Sequence, residues 1–172
     1  MYEVPDKEGM IDYAVQALQV LAADARVQVT LYPPFCCPLQ AVSDEGDAEL
    51  PALMDNYRNE LTDVQCRAVE GLQAELQAAT EADLDCSGGP PVTELPEDRR
   101  WEREREILEN PHWTKVRLLA REALAAFGRE RRDPIPAGKN ESGAWQGPAS
   151  TTWVPARPPG PSPSGGPAEE GK

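Results

Sequence analysis

Residues 50–83 run LPALMDNYRNELTDVQCRAVEGLQAELQAATEAD, and how they are read decides the fold. Leu50, Met54, Tyr57, Leu61, Val64 and Ala68 recur at alternating steps of four and three, which is the heptad signature of a helix with one apolar edge. Leu72, Leu76 and Ala79 continue that edge after two successive steps of four. The pattern predicts one uninterrupted helix. It starts near Pro51, because proline is tolerated in a first turn, and stops before Gly88-Gly89-Pro90-Pro91. Such a rod of about 33 residues is about 50 Å long, more than a compact domain of this size requires. Its edge must be covered, either by other helices of the same chain in an antiparallel bundle or by a second copy.

Helices suited to cover it flank the rod. Met10, Tyr13, Ala14, Ala17, Leu18 and Leu21 lie on one stripe of a helix over 8–25, and Ile11, Val15 and Val20 widen it. That breadth predicts a helix covered on more than one side. Asn110-Pro111 marks a second start, a cap followed by proline at the first helical position. From there Trp113, Val116, Ala120, Ala123, Leu124 and Phe127 share a face up to Gly128, a left-handed C-terminal cap. The charged run 96–109 is a further helix, with like charges set four apart, so its stability depends on partners.

Elsewhere the patterns are short. Val27, Val29 and Leu31 alternate with Gln28, Thr30 and Tyr32, a period of two that predicts a strand ending at Pro33-Pro34. The acidic run SDEGDAE, 43–49, is expected to be a turn that caps the next helix; counted from Asp44, it lacks the ligand spacing of a calcium loop. Beyond Arg129, proline, glycine and serine replace periodic apolar residues, and a disordered tail is expected over 129–172, with Trp145 and Trp153 as its docking candidates. The expected fold is therefore mainly α. It is a small helical bundle over 1–128 built around one long central helix, with at most one short strand and a disordered Pro/Gly-rich tail.

Charge narrows the partners. The 172 residues carry a net −13, but unevenly: 1–96 hold 4 Lys+Arg against 18 Asp+Glu, whereas 97–132 hold 10 against 8. Phosphate backbones are repelled by the first half. The basic stretch reads first as a solvated helix face with mixed ion pairs, and alternatively as a patch for an acidic partner, one candidate being the chain's own first half. No run approaches the roughly 18 apolar residues of a membrane span, and the acidic N-terminal residues are unlike a secretory leader. A cytoplasmic location with reduced thiols is the expectation.

The chemistry-bearing residues are few. PPFCCPLQ (33–40) holds Cys36 and Cys37; Cys66, Cys86 and the single histidine, His112, stand far off in the sequence. On a continuous rod Cys66 and Cys86 would lie about 30 Å apart, too far to share a tetrahedral zinc, and no C-x-x-C knuckle is present. No cation or base stands near Cys36 and Cys37 to activate a thiol. Phosphate-loop, dinucleotide, nucleophile-elbow and zinc-protease signatures are absent from the sequence. No catalytic residue, metal ligand or cofactor is assigned. The expected function is a non-enzymatic helical interaction or self-association module, binding itself or another helical protein through Leu50, Met54, Tyr57, Leu61 and Val64. The alternative is a small regulatory nucleic-acid-associated protein using Arg99, Arg100, Arg103, Arg105, Lys115, Arg117 and Arg121, and more distantly a thiol-dependent enzyme or redox sensor.

Overall fold

A computed structural model describes residues 5–32, 38–81, 109–139, 143 and 145–146. The chain is mainly helical: α1 (Lys7–Ala22), α2 (Ala25–Gln28), α3 (Pro38–Tyr57), a 3₁₀ turn (Arg58–Glu60), α4 (Asp63–Glu81) and α5 (Pro111–Ala126). Two-residue strands β1 (Gly138–Lys139) and β2 (Trp145–Gln146) pair antiparallel, Gly138 opposite Gln146. The expected helix over 96–109 and the Gly-Gly-Pro-Pro break lie outside the described residues.

Four helices form a ring in which α1 packs on α3 and α5, and α4 packs on α5 and α3. Every neighbour runs antiparallel. Tyr57 donates to the carbonyl of Pro5 while Leu21 lies by Gly46, which sets α1 against α3. Ser43 meets Thr80 and Arg58 meets Glu70, which sets α3 against α4. Asp24 meets Arg121 and Asp12 meets Arg129, which sets α1 against α5. The arrangement is an up-down-up-down bundle. Leu18, Leu21, Leu50, Leu53, Leu72, Leu76, Trp113 and Leu124 fill its centre. Each fully buried leucine contributes roughly 1.5–3 kcal/mol relative to exposure.

α1 begins where Asp6 accepts from the Gly9 N–H, 2.9 Å away. As its wide stripe predicts, it is enclosed on more than one side. The third cover is the segment after α5, which turns back at Gly128 (φ +66°) and lies along α1. Gln19 holds this segment with both ends of its amide, donating to Glu130 O at 2.8 Å and accepting from Arg132 N at 2.7 Å. Ala137 N then donates to Leu31 O at 2.6 Å. The packed unit thus runs on past Gly128 as far as Ala137.

The uninterrupted rod over 51–83 is overturned. Pro51 sits inside α3, which begins thirteen residues earlier at Pro38, and the helix ends at Tyr57 (φ −130°, ψ 11°). Leu61 is extended, and α4 starts afresh. The break is encoded locally in Thr62-Asp63-Val64-Gln65. Thr62 Oγ1 accepts from Gln65 N, and Gln65 Oε1 accepts from Thr62 N, a reciprocal capping box hidden within the heptad spacing. Apolar periodicity alone does not reveal this start signal for a new helix.

Two shorter expectations are corrected as well. The strand over 27–31 is instead α2 and two turns, closed by Val27 N→Asp24 O, Val29 N→Ala25 O and Leu31 N→Gln28 O. Period two put Gln28 outside, yet it is fully buried, because its amide serves the carbonyls of Val20 and Leu21 at the end of α1. The acidic turn over 43–49 is the second and third turns of α3. Val42, Gly46, Leu50 and Leu53 form its inner stripe, and Gly46 is there because nothing larger fits. A Cβ on Gly46 would stand 2.7 Å from Leu76 Cδ2 and 3.0 Å from Leu21 Cδ1.

Gly46→Ala is expected to cost about 1–3 kcal/mol through overpacking. Gly71, in the middle of α4 with nothing within 4 Å of an added Cβ, is the control; Gly71→Ala should stabilise by about 0.5–1 kcal/mol. Urea denaturation of the two variants checks the opposite signs, and a neutral Gly46→Ala would show that the three helices do not meet there.

Candidate functional site

The five residues expected to bind a partner separate into two groups. Leu50 is fully buried and Met54 is 8% exposed, both committed to the chain's own core. That half of the seam is covered from within. Tyr57 and Leu61 pack partly against the same core, and Val64, 57% exposed, projects from the first turn of α4. The seam surfaces only where the helix breaks. The capping box turns α4 back along α3, and Val64 is left on the outside of the corner.

The basic candidates divide similarly. Arg99, Arg100, Arg103 and Arg105 lie outside the described residues. Lys115 Nζ lies 2.5 Å from Glu75 Oε2, and Arg121 grips Asp24 Oδ1 at 2.7 Å. Arg131 takes the other Asp24 oxygen at 3.1 Å, and both arginines also donate from Nε to Ala22 O. With Gln28, they satisfy the last carbonyls of α1 and place positive charge at the negative end of its dipole. Of the candidates among the described residues, Lys115 and Arg121 are therefore matched to acids of the chain's own first half.

Arg117 differs from its neighbours. Half-buried, it donates to Gln28 Oε1 at 3.5 Å and Thr114 Oγ1 at 3.1 Å, both neutral acceptors. Burial, then repulsion from Arg121, lowers its pKa against the attraction of Asp24 and Glu109, and the guanidinium remains charged throughout the physiological range.

On the opposite side of α5, Glu75 rises from α4 beneath Lys115 and His112, whose Nδ1 lies 2.7 Å from Glu75 Oε1. Their hydrogen bonds, Lys115's first, hold the Glu75 carboxyl below the usual carboxylate range against its burial. The cover is shallow, since the His112 and Lys115 side chains are themselves 45% and 62% exposed, so solvent screens the pair. Glu75 stands three residues after Leu72 on the apolar stripe, where a carboxylate needs cations; His112 and Lys115, three apart on one face of α5, supply them. That misplaced charge was the available sequence signal.

Cysteine chemistry gains no partner here. Cys36, Cys37 and Cys86 lie outside the described residues, and so does the Cys66-to-Cys86 separation on which the exclusion of a shared centre rested. Cys66 Sγ faces Arg58 O at 3.6 Å. It lies nine residues before Glu75 on α4, about 13 Å along the axis from the carboxylate that holds His112. Among the described residues no three His, Cys, Asp or Glu side chains are grouped so as to hold a metal ion, and no helix is long and apolar enough to cross a membrane. Compared with protein-family models, curated proteins and solved structures, the chain matches none.

Two carboxylates, Glu75 buried and Glu45 half-buried, give opposite pH signs. Glu75, with its folded pKa below the ordinary 4.5, stabilises the fold fully above that value and loses the contribution as pH falls through the folded pKa. Glu45 is the reverse: burial raises its pKa, partly offset by the Tyr32 hydroxyl and reinforced by Glu49 and Asp44, so its ionisation disfavours the fold as pH rises. Glu75→Gln should lower stability at neutral pH and flatten the loss in acid, whereas Glu45→Gln should raise stability at neutral pH. Melting temperatures between pH 3 and 7 check both, and equal shifts in one direction would contradict the assignment.

Proposed function

We propose that this chain is a non-enzymatic helical interaction module that associates with a second copy of itself or with another helical protein, in the cytoplasm. The observation that supports this is Val64, exposed on the corner between α3 and α4 beside partly buried Leu61 and Tyr57. These three residues continue an apolar edge whose inner half, Leu50 and Met54, is used in the chain's own core. A helix of a partner laid across the corner would extend the same seam by the packing that already holds α3 and α4.

Sedimentation of the full chain across a concentration series tests the self-association form. Mass should rise with concentration, and Val64→Asp should return the chain to a monomer without changing its melting temperature, since the side chain is exposed. A monomer at every concentration would remove self-association from the proposal. A mobility shift with duplex DNA at two salt concentrations addresses the nucleic-acid alternative, for which salt-sensitive retardation is the expected sign.

A further inference from the structure

Where α4 and α5 lie side by side, their outward sides make one surface. Glu75 and Lys115 form a rung across the two helices. Gly71 stands four residues before Glu75, and Leu118 three after Lys115. Because the helices run antiparallel, both lie about 4.5–6 Å along the axis on the same side of that rung. One turn further Arg67 comes level with Glu122, and then Val64 with Ala125, each pair matched to within about 1.5 Å of axial rise. All six residues are exposed, Leu118 at 52%, and a Cβ on Gly71 would meet nothing within 4 Å.

The charges of this surface match across it. Glu75 is held by Lys115 and His112, and Glu70 by Arg58. Arg67 and Glu122 remain, opposite in sign, level with each other, and in no ion pair among the described residues. Asp63 and Glu81, at the ends of α4, fall level with Phe127 and Glu109, past the ends of α5. Helix by helix, α4 carries one Arg against one Asp and three Glu, net −3, whereas α5 carries one Lys and two Arg against one Glu, net +2. A helix of one sign would suit only half of such a surface. A second copy, turned about a two-fold axis parallel to the helices, suits all of it, because it sets α5 against α4 and α4 against α5 at the same level.

We infer that two copies of this chain associate through the outward face of α4 and α5. Each contact then occurs twice: Leu118 lies over the partner's Gly71, Val64 packs on the partner's Ala125, and Arg67 meets the partner's Glu122. Leu118 and Val64 leave water together, which drives association, while the charge pair fixes the register. The inference rests on the self-association form of the proposed function and gives it a surface, of which Val64 is one end.

Sedimentation of the full chain over a concentration series tests it, with the melting temperature of each variant as the control for folding. Arg67→Glu and Glu122→Arg should each raise the dimer dissociation constant roughly tenfold, since each sets like charges together twice. An equimolar mixture of the two variants should recover the dimer, because in the mixed pair both contacts are again between opposite charges. Leu118→Asp should yield a monomer with an unchanged melting temperature, as the side chain is exposed. A mixture no more associated than its components would overturn the inference, as would a dimer indifferent to Leu118→Asp. Were Val64→Asp alone to dissolve the dimer, association would run through the corner of α3 and α4, and the proposed function would stand without this surface. A native chain that is monomeric at every concentration would remove this surface and the self-association form together.

Discussion

At Gly46, α1, α3 and α4 meet, with Leu21 and Leu76 closing on the space a side chain would take. The rest of the bundle follows from that approach. With α3 pressed on both neighbours, Leu50 and Leu53 reach the centre, Ser43 comes within 3.5 Å of Thr80, and α4 is brought back alongside α3. A helix through an acidic, glycine-containing run is intrinsically weak. It holds because the inner stripe Val42–Gly46–Leu50–Leu53 faces α1 and α4, and burial of those neighbours outweighs the propensity of a few exposed acids.

Charge is organised by the same geometry. The acidic first half and the more basic stretch that follows are joined through a small set of specific pairs: Asp12 with Arg129, Asp24 with Arg121 and Arg131, Glu75 with Lys115 and His112. Exposed pairs of this kind contribute little singly. Their effect here is positional. Two arginines and Gln28 close the end of α1, Gln19 fixes the returning segment at 130–132, and Glu75 sets α5 against α4. Arg117 hydrogen-bonds to Gln28 and Thr114, with the charges of Asp24 and Glu109 also acting on it.

Candidate sites were only partly legible. An apolar edge from Leu50 to Val64 was visible as periodicity, but periodicity does not say which part of an edge a neighbour covers. That depended on Thr62 and Gln65, whose mutual hydrogen bonds end one helix direction and begin another. The roles of Asp24 and Gln19 are not legible in the sequence because their partners lie far away along it; Gln19 and Glu130 are 111 residues apart. Glu75 could have been found as a charge within an apolar stripe.

The sequence by itself determined the helical class, the breadth of burial on α1, and both ends of α5, where Asn110 caps at 2.8 Å and Gly128 takes positive φ. These features are local: repeat spacing, a side chain bonded to its own helix end, and a backbone angle that glycine adopts without strain. Only the tertiary structure decided that residues 25–28 would be helical, that Gly46 would be interior, and that Leu50 would be buried while Val64 stayed in water. Each of those outcomes rests on a surface supplied by another part of the chain. Local spacing can propose an apolar face, but the face is assigned only when a neighbour arrives to cover it.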